Sequence, residues 1–118
     1  MLAVFWKGKV ITENRRLVIR NGKICPSREY ENFIDGLAWT IRAETKGHRY
    51  KRLSITINSK INAWVDHQNL CKPICDAVQR SRLIENDRKI ANIWMQEAQR
   101  HKKGELDEIS LYFTQMEN

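Results

Sequence analysis

The chain has 118 residues, of which 42% are hydrophobic and 30% charged, and its formal net charge is +7. This length fits one domain with a modest core, so we assign residues 1–118 to a single domain. The composition is that of a folded globular protein and excludes an intrinsically disordered chain. No apolar stretch approaches the roughly 20 residues that a membrane-spanning helix needs, so we expect no membrane partner.

The N-terminal segment and the cysteines indicate the compartment. MLAVFWKGKV lacks a basic n-region, a long apolar h-region and a small-residue cleavage site, so we predict no signal peptide. Three cysteines are an odd number, and they are not arranged as a disulfide framework. Reduced thiols in a cytoplasmic protein are the simpler interpretation.

The basic charge is concentrated in the first half of the chain. Residues 1–60 contain 13 Lys or Arg and 5 Asp or Glu, whereas residues 61–118 contain 8 and 9. The sequence pI is about 9.6. Such clustering favours a polyanionic partner, nucleic acid first and a membrane surface second. A basic protein with a solvated surface is the alternative.

The chain begins with a weakly alternating stretch at residues 2–6, which predicts a strand. Asn21-Gly22 then lies between two apolar runs. A type I′ turn needs positive φ at both central positions, and Asn-Gly is the pair that best accepts it. We therefore predict a hairpin with strands at about 17–20 and 23–25.

A long helix is predicted over residues 28–45. Ser27 is its expected N-cap and Gly47 its C-terminal stop. Its apolar residues recur at i, i+3, i+4 and i+7, and they are Tyr30, Phe33, Ile34, Leu37, Ala38 and Ile41.

Alternation at residues 53–57 predicts a strand with one buried face, which residues 61–65 continue after an irregularity. A second helix follows. Pro73 is acceptable only in a first turn, which places the helix start between Asn69 and Lys72, with Asn69 as a candidate cap.

Two closing strands are predicted around residues 91–95 and 109–113. The order β-β-β-α-β-α-β-β describes an α/β domain of the α+β-like kind. We expect a mixed sheet with two main helices packed on it.

The segment DHQNLCK, residues 66–72, is called the polar segment below. Asp66 lies just after a strand, and Asp87 lies in the turn before the next strand. If these strands are neighbours joined through the helix, both carboxylates reach one end of the sheet, a common place for a site. Two carboxylates attract a hard cation such as Mg²⁺, and Lys72 on the first helical turn suits a phosphate.

The same residues also have ordinary structural interpretations. Asp66 suits a helix cap, Asp87 a turn and Lys72 a solvated helix end. The spacing of two aspartates does not by itself distinguish a metal site from these common uses.

The polar segment resembles the active-site region of the RusA family of Holliday junction resolvases. That family carries Asp-x-Asp-Asn-Leu-x-Lys running into a helix, then an aspartate in a turn some twenty residues later. This chain has Asp66-His67-Gln68-Asn69-Leu70-Cys71-Lys72, then Asn86-Asp87. The order of the other elements is also similar, so the resemblance covers nearly the whole chain.

The resemblance implies a homodimer that cleaves branched DNA symmetrically across a four-way junction with Mg²⁺, or with Mn²⁺ as a substitute. Asp66 and Asp87 would be metal ligands and catalytic, with Lys72 assisting at the scissile phosphate. The resemblance also implies a cytoplasmic protein of a bacterium or of one of its phages. The candidate phosphate-contacting residues are Arg15, Arg16, Arg20, Lys23 and Lys72.

The sequence departs from the family at Gln68, where the family has its second aspartate. A glutamine carbonyl can coordinate a cation but brings no negative charge. The alternative is therefore a protein that binds branched DNA on this scaffold without cutting it. Glu85, two residues before Asp87, could compensate in an extended turn. Before Asn14 the chain also lacks the family's proline and serine.

Two further residue sets have competing interpretations. His67, Cys71 and Cys75 are spaced i, i+4, i+8 and could invite zinc, but burial of the cysteines as small apolar residues is favoured. Trp64, two residues before Asp66, is a candidate DNA contact. Core or edge packing is sufficient for Trp39.

Overall fold

A four-stranded mixed sheet and two helices form the body of the molecule. The computed structural model describes residues 2–12, 17–62, 66–102 and 104–116. The elements are β1 Leu2–Gly8, β2 Leu17–Arg20, β3 Lys23–Pro26, α1 Arg28–Glu44, β4 Leu53–Asn62, α2 Cys71–Arg80, β5 Ile90–His101 and β6 Asp107–Gln115. The predicted element order and fold class are confirmed.

The strand order in the main sheet is β1-β6-β4-β5, and β2 and β3 form a separate two-stranded sheet. β6 pairs antiparallel with both β1 and β4. β5 pairs in parallel with β4, from Leu53 opposite Ile90 to Asn62 opposite His101. A parallel neighbour needs a crossover connection, and α2 supplies it.

Both helices cover one face of this sheet. Along β4 and β6, alternate residues are fully buried, as expected for strands with one face on a core. They pack with the apolar faces of α1 and α2 in one cluster of buried residues. The helical members of that cluster are Tyr30, Phe33, Ile34, Leu37, Ile41, Ile74, Ala77 and Val78. No helix in the described ranges lies on the other face of the sheet.

Local signals in the first half are confirmed. Asn21 and Gly22 have φ of 51° and 74°, the left-handed values that the turn requires. Ser27 caps α1, and its side chain accepts a hydrogen bond from Tyr30 N at 3.3 Å. The helix ends at Glu44, and Gly47 follows it with φ of 73° and donates to the carbonyl of Arg42.

Two predictions are corrected by tertiary structure, and one is only partly tested. Asn69 does not cap the second helix, because Asp66 caps a 3₁₀ turn over His67–Leu70 that leads into α2. Trp39 is not packed in the core or at its edge but is 73% exposed, one position beyond the buried stripe of α1. Strand β4 ends at Asn62, and the predicted continuation over residues 63–65 lies outside the described residues.

None of the helices in the described ranges is long and apolar enough to cross a membrane.

Candidate functional site

The polar segment forms the entry to α2. Asp66 is exposed, and its Oδ1 accepts a hydrogen bond from the backbone N–H of Gln68 at 3.0 Å. The N–H of Asn69 is bonded to the carbonyl of Asp66 at 3.0 Å, which closes the 3₁₀ turn. Asp66 therefore acts as a cap. Gln68 is also exposed, so both side chains face solvent ahead of the helix.

Asp87 lies at the other end of the crossover. It begins a 3₁₀ turn over Asp87–Lys89 directly before β5, and the side chain of Asn86 caps that turn by accepting from Arg88 N at 3.0 Å. β4 and β5 are neighbours, as expected, but they are parallel, so β4 ends and β5 begins at opposite ends of the sheet. The expectation that the two aspartates meet at one sheet end is therefore wrong.

The aspartates are instead related through α2. The 3₁₀ turn that Asp87 begins packs against this helix. Burial, and then the charges of Cys71, Asp87 and Asp76, raise the pKa of the Cys75 thiol on α2 to about 11. Asp66 precedes the first turn of the same helix.

Lys72 is engaged with an aspartate that the sequence analysis did not single out. Its Nζ lies 2.9 Å from Oδ1 of Asp76, one helical turn further along α2. The other oxygen, Oδ2, accepts a hydrogen bond at 2.7 Å from the hydroxyl of Tyr30 on α1. The i, i+4 spacing of Lys72 and Asp76 was the available signal for this pair.

His67 points inward, towards β4. It is buried, and its Nδ1 lies 2.7 Å from the hydroxyl oxygen of Ser59 on β4. Burial lowers its pKa, and the charge of Arg100 lowers it further. Cys71 and Cys75 are free thiols and partly buried, so their predicted burial is reached only in part. Zinc binding by the three residues gains no support.

Within the described part of the chain, no group of three or more His, Cys, Asp or Glu side chains is arranged to hold a metal ion. Mg²⁺ needs fewer protein ligands, because it keeps several waters and is held by one or two carboxylates plus phosphate oxygens. Asp66, Asp87 and Gln68 offer exposed oxygen donors of the hard type that Mg²⁺ prefers. The donor chemistry fits this ion.

The candidate DNA contacts divide into two groups. Arg20 and Lys23 are exposed and lie opposite each other in the β2–β3 pairing, on either side of the Asn21-Gly22 turn. They give the hairpin a basic tip. Arg15, Arg16 and Trp64 lie outside the described residues.

No protein-family model matches this chain, and no curated protein matches it significantly.

Proposed function

We propose that the protein is a Mg²⁺-dependent, structure-specific endodeoxyribonuclease that resolves four-way DNA junctions during recombination and repair. The observation that carries the proposal is that its key side chains lie on or beside one helix, α2. Asp66 and Gln68 precede α2, Lys72 lies on its first turn, and Asp87 begins a turn that packs against it. The resemblance to the RusA family also supports the proposed function.

In this proposal Asp66 and the amide oxygen of Gln68 hold the cation together with phosphate oxygens, and Asp87 adds negative charge from the turn that packs against α2. Bound Mg²⁺ would polarise a phosphate and lower the pKa of a bound water. Lys72 places a positive charge beside the same phosphate and stabilises the charge that develops as the bond breaks. Asp76 positions Lys72, because its carboxylate is itself fixed by Tyr30.

Branched DNA is the proposed substrate because the chain is basic and because a four-way junction has approximate two-fold symmetry. A homodimer has the same symmetry and can place one site on each of two opposed strands. Arg20 and Lys23 at the hairpin tip would contact phosphates, which fix the register of the protein on DNA. We place this activity in the cytoplasm of a bacterium or a phage-infected cell.

A second candidate function is branched-DNA binding without cleavage. Two observations favour it. Gln68 contributes no negative charge to a cation site, and the charge of Lys72 is already compensated by Asp76 at 2.9 Å. A protein of this kind would have the same fold and the same affinity for junctions but would hold Mg²⁺ too weakly for hydrolysis.

The test is cleavage of a labelled four-way junction beside linear duplex of the same sequence, with Mg²⁺, with Mn²⁺ and with chelator. Asp66→Asn and Asp87→Asn should abolish metal-dependent nicking while leaving junction affinity nearly unchanged. Glu29→Gln is the matched control, because Glu29 is an exposed carboxylate on α1, outside the polar segment. It should cut like the parent protein.

The outcomes separate the two functions. Junction binding without nicking, with nicking restored by Gln68→Asp, identifies a binding protein whose cation site lacks charge. Nicking that survives both aspartate variants, or that is equal on junction and duplex, contradicts the proposed nuclease. Absence of both binding and nicking contradicts both functions.

A further inference from the structure

The parallel pairing of β4 and β5 gathers positive charge at one end of the sheet. Lys51 and Arg52 directly precede β4, and Arg88 and Lys89 directly precede β5. Leu53 is paired with Ile90, so the two dipeptides lie next to each other. All four side chains are exposed, and none forms an ion pair with another residue in the described ranges. These four residues are called the basic end.

The sheet face without helices carries aromatic side chains. Thr56 on β4 is paired with Tyr112 on one side and with Trp94 on the other, and paired residues share a face. Phe5 lies on the same face, opposite Ser110 and diagonal to Tyr112. Trp94 is 68% exposed and Phe5 is 52% exposed, while Tyr112 is partly exposed in the middle of the sheet. These three rings define the aromatic face.

The spacing of these rings allows each ring to stack on a base of its own. Strands are roughly 4.8 Å apart, so Trp94 and Tyr112, two strands apart, are separated by roughly 10 Å. No ring contact joins them in the described part of the chain. Four-stranded sheets that display aromatics in this way stack two or three unpaired bases of a nucleic acid. Every base has a π-face, so such stacking tolerates any sequence.

The chemistry between the rings argues against a second copy of this chain. The side chains there are small and polar, whereas the core of a homodimer interface is mainly apolar. These side chains are Ser54, Thr56, Asn58 and Ser110. A polyanion with flat bases complements both the charge and the rings.

The two ends of this surface differ in their charge. At the far end of the face Lys7 lies 3.8 Å from Glu108, so positive charge there is compensated. The positive charge at the basic end has no such ion-pair partner in the described ranges. Trp94 lies four residues into β5 from that end. Asp87 immediately precedes Arg88. A strand held at the basic end therefore passes beside a residue of the proposed metal site.

We propose that the aromatic face and the basic end together bind an unpaired DNA strand. Bases stack on Trp94 and Tyr112, and phosphates are held by Arg88, Lys89 and the neighbouring cations of β4. Duplex DNA is a poor ligand for this surface, because its paired and stacked bases offer no free faces. The choice of DNA over RNA rests on the proposed nuclease function. The stacking surface itself is inferred independently of that function.

The test is fluorescence anisotropy with a labelled oligo-dT strand, titrated at low and at moderate salt. Trp94→Ala should weaken binding roughly 5- to 150-fold, the loss that removal of one stacking ring causes. Trp94→Phe keeps a ring and should retain most of the affinity. Trp39→Ala is the matched control, because Trp39 is an equally exposed tryptophan on α1. It should bind like the parent protein.

A second arm tests the basic end. Arg88→Gln with Lys89→Gln should lower the slope of log affinity against log salt by about 2, one for each lost phosphate contact. Equal losses in Trp94→Ala and Trp39→Ala, or no loss in either, would overturn the proposal. A change in sedimentation of Trp94→Ala without a change in DNA affinity would also overturn it, because a second copy then covers the face.

Failure of this inference and failure of the nuclease proposal are separable. Junction nicking by the parent protein together with unchanged oligo-dT binding in Trp94→Ala contradicts only the proposed role of the aromatic face. Weakened oligo-dT binding in Trp94→Ala without any nicking by the parent protein supports the surface and removes only the nuclease. Tighter binding of oligo-U than of oligo-dT overturns the choice of DNA.

Discussion

His101 and Asp107 form a buried pair in which Nε2 of the imidazole lies 2.6 Å from Oδ1 of the carboxylate. The same carboxylate accepts hydrogen bonds from the backbone N–H groups of Val10 at 2.8 Å and Asn62 at 3.0 Å. His101 ends β5, Asp107 begins β6 and Asn62 ends β4. One side chain thus joins three strand ends and the segment that follows β1.

Replacement of Asp107 should destabilise the fold more than that of its neighbour. Asp107→Ala leaves two buried N–H groups and a buried imidazole without their acceptor, so we expect the free energy of unfolding to fall by about 3–5 kcal/mol. Glu108→Ala removes only the longer contact to Lys7 and should cost less than about 1 kcal/mol. Urea denaturation measures both, and equal losses would contradict the role of Asp107.

The stability of the protein should decrease on the alkaline side of neutrality because of His101. The hydrogen bond to the carbonyl of Lys102, and then the bond to Asp107, raise the pKa of His101 above its usual value. A raised folded-state pKa gives stability that is complete below the unfolded pKa of about 6.5 and is lost as pH rises through the folded pKa. His101→Gln should remove this alkaline decrease, as urea midpoints at about pH 6.5 and about pH 8 would show.

His67 should produce the opposite dependence. Burial, and then Arg100, lower its pKa, so its stabilising contribution is present above about 6.5 and is lost as pH falls through the folded pKa. The parent protein should therefore be most stable near about pH 6.5. His67→Gln should lose only the acid-side decrease between about pH 6.5 and about pH 5. If one variant removed both the acid-side and the alkaline-side decrease in stability, the assignment of one histidine to each decrease would be contradicted.

Loss of the Ser27 cap should weaken the start of α1. The Ser27 hydroxyl oxygen accepts from Tyr30 N, which would otherwise be an unbonded donor of the first turn. Ser27→Ala should lower the free energy of unfolding by about 1 kcal/mol. Ser54→Ala, on the sheet face without helices, is the control and should change it by less than about 0.5 kcal/mol. A Ser27→Ala protein as stable as the control would show that the cap contributes nothing.

Cys75 should be nearly inert to alkylation in the folded protein. Burial, and then the neighbouring acidic charges, raise the pKa of its thiol to about 11, so roughly 0.1% is thiolate at about pH 8. In urea, where the pKa returns towards about 8.5, alkylation should be about 100-fold faster. Mass spectrometry of quenched samples gives the rate at each cysteine. Equal rates at Cys75 in folded and unfolded protein would contradict the pKa shift.

Much of the fold could be predicted because its signals are local. The positive φ demanded by a two-residue turn identified Asn21-Gly22, and the helical repeat of apolar residues identified α1 to within one residue. Alternation identified β4 and β6, since each has one face on the core. β5 was underestimated because it is an edge strand, and most of its residues after Met95 are exposed.

The candidate site could be predicted only as a set of residues. The sequence pointed to Asp66, Lys72 and Asp87, but their neighbours depend on how distant segments pack. The pairing of Lys72 with Asp76 follows helical spacing, whereas the hydrogen bond from Tyr30 to Asp76 joins residues 46 positions apart. No local pattern encodes such a contact.

Local sequence signals set the order of the elements, the buried faces of the helices and the basic character of the chain. Those properties depend on backbone propensity, hydrophobic periodicity and composition, which neighbouring residues set. The tertiary structure decided that β4 and β5 are parallel, which separates Asp66 from Asp87 at the sheet ends and brings Lys51-Arg52 beside Arg88-Lys89. Strand direction depends on pairing between residues far apart in the chain, and only the folded protein fixes that pairing.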